Sequence, residues 1–431
     1  MAKMLHFAWF GAPGAHNWNA TSAGLYDWRS GSLYMDIARL CERAYMDMVL
    51  FGDIAAIPAT YQNSNDHYVK YGLDTHMDPA PVLAMMGAAT RHIGLGATLS
   101  TSLYPPFLLA RMMGTLDHLT AGRSAWNVVT STNTAAAQNF GLDNLPEHDE
   151  RYSIADEYLD LVRKLWDSWS PDAVLEDKEH GIFADPTKVK PVHFMGKYFK
   201  CRGPLNVPAL PQRHPVVIMA GTSPRGQQFA VTNADMVIAH KNTVSDMKNY
   251  STQLRSQLKA AGRDPTGCKI FFSIKPVLGD TPTIAQAKWD LNYENADVKA
   301  GLSYLSGSLD IDLSTYDLDK PLPPDLRVQG AIGKLLQHTQ ATKSLTLREI
   351  AKREAMQETL PIIGTPERVA DVIEETAIEG GADGFHFRVP KVGDYEYLTE
   401  IATKLMPILQ RRGLARTNYA GRTLKENLFA F

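Results

Sequence analysis

Cysteine is scarce in this chain: Cys41, Cys201 and Cys268 are its only 3, far apart and odd in number. They form neither a disulfide framework nor a metal or redox spacing, which fits a reducing compartment. Excess charge is also missing. Lys and Arg total 44 against 47 Asp and Glu, a net charge of −3, with both signs mixed throughout. No basic stripe is present, so neither nucleic acid nor an anionic membrane surface is expected as a partner. No apolar run approaches the roughly 20 residues a membrane-spanning helix requires. The opening Met1-Ala2-Lys3-Met4-Leu5-His6 has too little apolar length for a secretion signal. The expectation is a soluble, cytoplasmic protein. Several catalytic signatures are absent as well: a His-x-x-x-His pair, a Gly-x-Ser-x-Gly elbow and a Gly-x-x-x-x-Gly-Lys-Ser/Thr loop. No metal site is expected.

What is present is a globular composition, with 44% apolar residues, and an alternation of short apolar runs with longer amphipathic ones. Strands are predicted at Leu5–Phe10, Met48–Phe51, Ile93–Leu99, Ala125–Val129, Pro215–Met219, Met236–Ala239, Ile270–Pro276 and Gly384–Arg388. Helices are predicted over Tyr34–Tyr45, Pro81–Thr90 and Phe107–Leu116, and from Pro146 onward, where Ile154, Tyr158, Leu161 and Leu165 form the apolar stripe. Eight strands separated by helical segments favour an α/β fold of the (β/α)₈ TIM-barrel type. The rival, an open doubly wound sheet, lacks a Gly-x-Gly-x-x-Gly turn after its first strand. The expectation is therefore a single barrel domain over residues 1–431, with excursions at about 170–214 and 290–361. The second, with the turn-rich Leu318-Asp319-Lys320-Pro321-Leu322-Pro323-Pro324, reads as a cap over the barrel mouth.

A barrel carries its site at the C-terminal ends of its strands, which nominates Phe10, Asp53, Thr98, Ser100 and Asn127. A carboxylate such as Asp53 at a strand end either orients a ligand or caps a loop. Thr98 and Asn127, at the ends of neighbouring strands, offer a hydroxyl and an amide. His148 and Tyr152 stand four apart at a helix start and so share one face, where free backbone N–H groups favour an anion. Gly221, just past the fifth predicted strand, lets backbone N–H groups approach an oxyanion closely. His118, at a helix-to-strand corner, reads as a packing residue.

The stretch LDHLTAGRSAWNVVTSTNTAAAQNFGLDNLPEHDERY (Leu116 to Tyr152) closely resembles the bacterial-luciferase-like flavin monooxygenases. Within them it is most similar to the branch of nitrilotriacetate, EDTA and dibenzothiophene-sulfone monooxygenases. The resemblance continues through Leu165-Trp166-Asp167-Ser168-Trp169, Arg202-Gly203-Pro204-Leu205-Asn206, Met219-Ala220-Gly221-Thr222-Ser223 and Gly364-Thr365-Pro366-Glu367. It implies a two-component monooxygenase that uses FMN, reduced to FMNH₂ by a separate NAD(P)H:flavin reductase, and O₂ as co-substrate. One oxygen atom would enter a small organic substrate, with C–N or C–S cleavage compatible with the branch. The resemblance implies flavin contacts for Asp53, Thr98, Asn127 and Gly221, and phosphate or ribityl contacts for His148, Tyr152 and Ser223. It implies oxygen handling for Thr98 and Asn127, and a substrate-facing histidine in the first loop, for which His16 is the candidate. A homodimer or homotetramer is implied too. The strand at Phe271-Phe272-Ser273-Ile274-Lys275-Pro276 departs from the family's usual glycine-containing form. Two alternatives remain: an F420-dependent oxidoreductase of the same fold, and a non-catalytic flavin-binding protein.

Overall fold

The structure is a computed structural model, and it describes residues 3–15, 18, 24–221, 223–328, 330–331, 334–335, 345–389 and 395–431. Eight parallel strands close into a barrel in sequence order. They are β1 (His6–Gly11), β2 (Met48–Phe51), β3 (Gly94–Ser100), β4 (Ser124–Val129), β5 (Val216–Met219), β6 (Met236–Ala239), β7 (Lys269–Ile274) and β8 (Gly384–Arg388). The ring closes where β1 pairs with β8, His6 opposite Gly384 and Phe10 opposite Arg388.

Successive strand residues face opposite sides, so each strand contributes to two cores. One alternate set packs in the lumen: Ala8, Met48, Leu50, Ala125, Val216, Ile218, Met236, Ile238 and Phe271. The other, including Phe7, Val49, Leu95, Trp126, Val217, Ile270 and Phe385, packs outward against the helices. These include α1 (Gly31–Arg43), α2 (Pro79–Ala89), α3 (Pro106–Leu119), α4 (His148–Trp166), α5 (Pro224–Asn233) and α6 (Val244–Ala260). Trp126 shows how tightly the layers interlock. Its ring meets Tyr158 and Trp166 of α4, and its Nε1 donates to the Leu99 carbonyl at 3.0 Å.

Helix α4 begins two residues later than its sequence predicts. Pro146 lies outside it, and Glu147 is the residue before the first turn, its carbonyl accepting from Arg151 N at 2.9 Å. Asp149 and Glu150 are the acids of that turn. The segment before β5 forms two small antiparallel ribbons, Val174–Asp177 with Ile182–Ala184 and Phe194–Met195 with Lys200–Cys201.

After β7 the chain leaves the barrel through α7 (Pro282–Glu294), α8 (Val298–Leu309) and α9 (Leu347–Met356), then returns through α10 (Pro366–Gly380). Helix α7 runs across residue 290, the boundary expected from composition, because Thr281 caps its start by accepting from Ile284 N. The ends of this excursion are joined by a short parallel pairing, Val277–Leu278 with Ile363–Gly364. Helix α8 rests on loops that leave the C-terminal ends of the strands. Tyr68 Oη donates to the Ser303 carbonyl at 2.7 Å, and Thr134 Oγ1 donates to Asp310 just past α8, also at 2.7 Å. No helix among the described residues is long and apolar enough to cross a membrane.

The opposite end of the lumen is plugged by the C-terminal segment, whose Leu424 and Leu428 join the inner cluster. Asp47 holds this end together. It is 3% exposed, accepts from Phe7 N at 2.7 Å, and lies 2.9 Å from His6 Nδ1 and 2.6 Å from Arg416 Nη2. Burial opposes its charge, but His6, Arg416 and the Phe7 N–H outweigh that and hold the carboxyl below its ordinary 3.8. Its folded pKa therefore lies below the unfolded one. The stabilisation it gives is complete above the ordinary carboxylate range and is lost as pH falls through the folded value. Asp47→Ala leaves the Arg416 charge buried and should lower unfolding free energy by about 3–5 kcal/mol at pH 7. Urea denaturation measures this, and the gap between variant and parent should shrink in acid.

Candidate functional site

Toward the C-terminal ends of the strands the lumen changes from apolar to polar. Thr98 on β3 and Asn127 on β4 are register partners, and Asn127 Nδ2 donates to Thr98 Oγ1 at 2.9 Å. Both are almost wholly buried, at 4% and 5% exposure. Asn127 Oδ1 has no hydrogen-bond partner among the described residues. An orphaned acceptor in such a place is costly unless a ligand supplies the donor. Phe10 and Ser100 also sit at this end. Phe10 meets His386 edge-on at 5.3 Å, and Ser100 accepts from the Ser131 hydroxyl at 2.7 Å.

A second group assembles from two helix starts. His148 and Tyr152 sit in the first two turns of α4, with ring centroids 5.2 Å apart. Ser223 is the N-cap of α5, with Pro224 next. Its hydroxyl accepts from Gly226 N at 3.1 Å and lies 3.3 Å from His148 Nε2. His148 Nδ1 is 2.7 Å from Asp149. Gly221 and Gly226 are required by close approach, since a Cβ at either would come within 3.0 or 2.7 Å of the Tyr152 hydroxyl. Burial pushes the Tyr152 phenol above 10, against the opposing pull of Ser223, Arg151, Thr130 and Arg225, so it is a proton donor at pH 7. Arg225 lies 5.5 Å over the Tyr152 ring and pairs with Asp156. Hydroxyl, phenol and imidazole at a helix N-terminus, with a guanidinium beside them, suit a phosphate monoester. The residues present therefore fit FMN: an anion cradle between β4 and β5, and a buried amide with an unpartnered oxygen on β4.

Asp53 follows β2 on the same rim, with its Oδ1 3.9 Å from His76 Nδ1. His76 is half-buried, neither of its ring nitrogens has a hydrogen-bond partner among the described residues, and Asp74 approaches within 4.0 Å. Burial, together with Asp53, raises the Asp78 carboxyl, and burial with Asp78 and Asp53 raises the Tyr104 phenol to about 12. The nominated His16 lies outside the described residues. His118 is exposed rather than packed. It lies in the last turn of α3 on the far side of the barrel, with Nε2 3.3 Å from the Pro208 carbonyl. Among the described residues no group of three or more His, Cys, Asp or Glu could hold a metal.

Sequence reasoning missed His76, Arg225 and a set on the opposite wall: His240, Ser273, His386 and Arg388. His240 directly follows β6, so the strand-end rule that nominated Asp53 applies to it equally. Ser273 and His386 lie inside strands, where only the inward register, fixed by barrel closure, marks them out.

Comparison with known proteins gives the chain's family and fold. The sequence pattern of the Luciferase-like monooxygenase family matches residues 9–384. The chain is 40% identical to a dibenzothiophene-sulfone monooxygenase of Rhodococcus erythropolis, covering 99% of this chain and 96% of that one. It is 34% identical to nitrilotriacetate monooxygenase component A of Aminobacter aminovorans, covering 97% and 94%. Among solved structures, a riboflavin lyase with modified FMN and riboflavin superposes with a TM-score of 0.90 at 31% identity, covering 100% of this chain and 96% of that one. With the barrel closed, the polar rim assembled and the family pattern spanning most of its length, this chain belongs to the luciferase-like monooxygenases.

Proposed function

We propose that the protein is the oxygenase of a two-component system, taking FMNH₂ from a separate NAD(P)H:flavin reductase and transferring one atom of O₂ to a small organic substrate. The observation that carries this reading is Asn127 Oδ1, a buried acceptor with no partner among the described residues, held in place by the Asn127–Thr98 hydrogen bond. "Component A" in the name of the nitrilotriacetate relative and FMN in the riboflavin-lyase structure support it. Cytoplasmic location and assembly into a homodimer or homotetramer belong to the same proposal.

Reduced FMN, when bound, supplies the electrons that activate dioxygen. His148, Tyr152, Ser223 and the backbone at Gly221 hold its phosphate end by donated hydrogen bonds, with Arg225 adding positive charge. Asp53 orients the ring system from the β2 rim. Thr98 and Asn127 are uncharged, so they position donors and an acceptor at the reacting edge without fixing a charge there. Burial by the barrel excludes water that would divert the oxidant.

Loss of one hydrogen bond to a charged phosphate weakens binding by roughly tenfold. Tyr152→Phe should accordingly weaken FMN but leave riboflavin unchanged in equilibrium titration; equal affinity of the parent chain for FMN and riboflavin would remove the phosphate assignment. The purified chain should not oxidise NADH, yet should turn over when an unrelated reductase supplies FMNH₂, as read by incorporation of labelled dioxygen. Asn127→Ala should keep FMN affinity within a few-fold while product formation falls by ~10²–10³-fold, with hydrogen peroxide released in its place. Unchanged rates and coupling in both Asn127→Ala and Thr98→Ala place oxygen handling elsewhere.

A further inference from the structure

Across the lumen from Thr98 and Asn127, β6, β7 and β8 bring polar side chains to one place. Ser273 is in register with His386, and the pairing of Phe272 with Ala239 sets His240 beside Ser273. The Ser273 hydroxyl lies 2.5 Å from His386 Nε2 and hydrogen-bonds His240 Nδ1. Arg388 is two residues beyond His386, on the same face of β8. Its Nη2 donates to the Tyr304 hydroxyl of α8 at 3.2 Å.

Two nitrogen atoms of this wall, His386 Nδ1 and Arg388 Nε, are buried and have no hydrogen-bond partner among the described residues. His386 is 1% exposed, so water does not satisfy it from outside. Burial and then Arg388 push its imidazole down to about 3. Burial, Arg388, His386 and Lys334 push His240 well below its ordinary value, so both rings are neutral at pH 7. Lys334 is paired with Glu354 at 2.7 Å. Among the described residues no carboxylate lies within ion-pair distance of Arg388, which donates instead to the Tyr304 hydroxyl. Among the described residues the wall therefore carries a net positive charge without a counter-ion.

Ser273 has one proton, which it donates to one imidazole while accepting from the other. When it donates to His386 Nε2, the His386 proton sits on Nδ1, the atom without a partner, and His240 donates from Nδ1 to Ser273. An acceptor oxygen at His386 Nδ1 selects this arrangement, and no net charge moves.

We infer that this wall recognises an oxyanion, a carboxylate or sulfonate, carried by the organic substrate. Arg388 supplies the charge, and His386, set by Ser273 and His240, supplies a second donor. The inference rests on the reading that assigns the opposite wall to FMN, and it leaves the substrate's carbon skeleton in the mouth between the two walls.

Isothermal titration of the full chain, with and without oxidised FMN, tests it with benzoate, benzenesulfonate and benzamide as probes. Benzoate and benzenesulfonate should bind about tenfold or more tighter than benzamide. Arg388→Met should erase the difference, and Ser273→Ala should weaken benzoate several-fold with benzamide unchanged. If Arg388→Met does not fold, Arg388→Lys serves: it keeps the charge but loses the fork, and should weaken benzoate alone. No saturable benzoate binding, equal affinity for benzamide, or unchanged discrimination in the Arg388 variant overturns the inference. Loss of FMN affinity in that variant, with benzoate unaffected, also overturns it, because the wall then belongs to the flavin. Failure of the parent chain to bind FMN while benzoate discrimination persists counts against the FMN reading and leaves the wall intact.

Discussion

Closure of the barrel is the constraint on which the rest of the structure depends. Eight parallel strands joined edge to edge force each strand residue to face either the lumen or the surrounding helices. The two faces need different side chains. Outward positions carry bulky apolar groups such as Phe7, Trp126 and Phe385, which pack against helices. Inward positions are apolar in the lower layers, at Met48, Ile218 and Phe271, and polar at the C-terminal end, at Thr98, Asn127, Ser273 and His386. A one-residue slip in any strand would exchange the two sets.

Buried polar groups gather at both ends of the lumen. At the bottom, Asp47 accepts from Phe7 N and is flanked by His6 and Arg416, while Leu424 and Leu428 seal the space. This end is built for stability. At the top, Asn127 Oδ1, His386 Nδ1 and Arg388 Nε are left without partners among the described residues. Unsatisfied groups of this kind cost stability; His6 Nε2 and Arg416 Nε are orphaned at the bottom as well, but there the C-terminal segment fills the space.

Much of the fold was legible in the sequence because its signals are local. The runs Met48–Phe51, Met236–Ala239 and Gly384–Arg388 match the observed strands residue for residue. The i, i+4 spacing of His148 and Tyr152 was enough to place both rings on one face of α4. The start of α4 was less legible. Proline and an acid favour a helix N-terminus over a range of positions, and only the carbonyl that accepts the first intrahelical bond fixes which residue precedes the first turn.

The sequence by itself determined the alternation of strands and helices, and hence the barrel. It also determined the strand-end candidates Asp53, Thr98 and Asn127, and the helix-start pair with its glycine-bearing loop at Gly221, because each depends on residues within a few positions of one another. Tertiary structure decided which of these meet. Ser223 reaches His148 from 75 positions away, and the wall of His240, Ser273 and His386 draws on three separate strands. Such contacts depend on the inter-strand register and on which face of each strand turns inward. Ring closure of the whole chain fixes both, and no single segment encodes either.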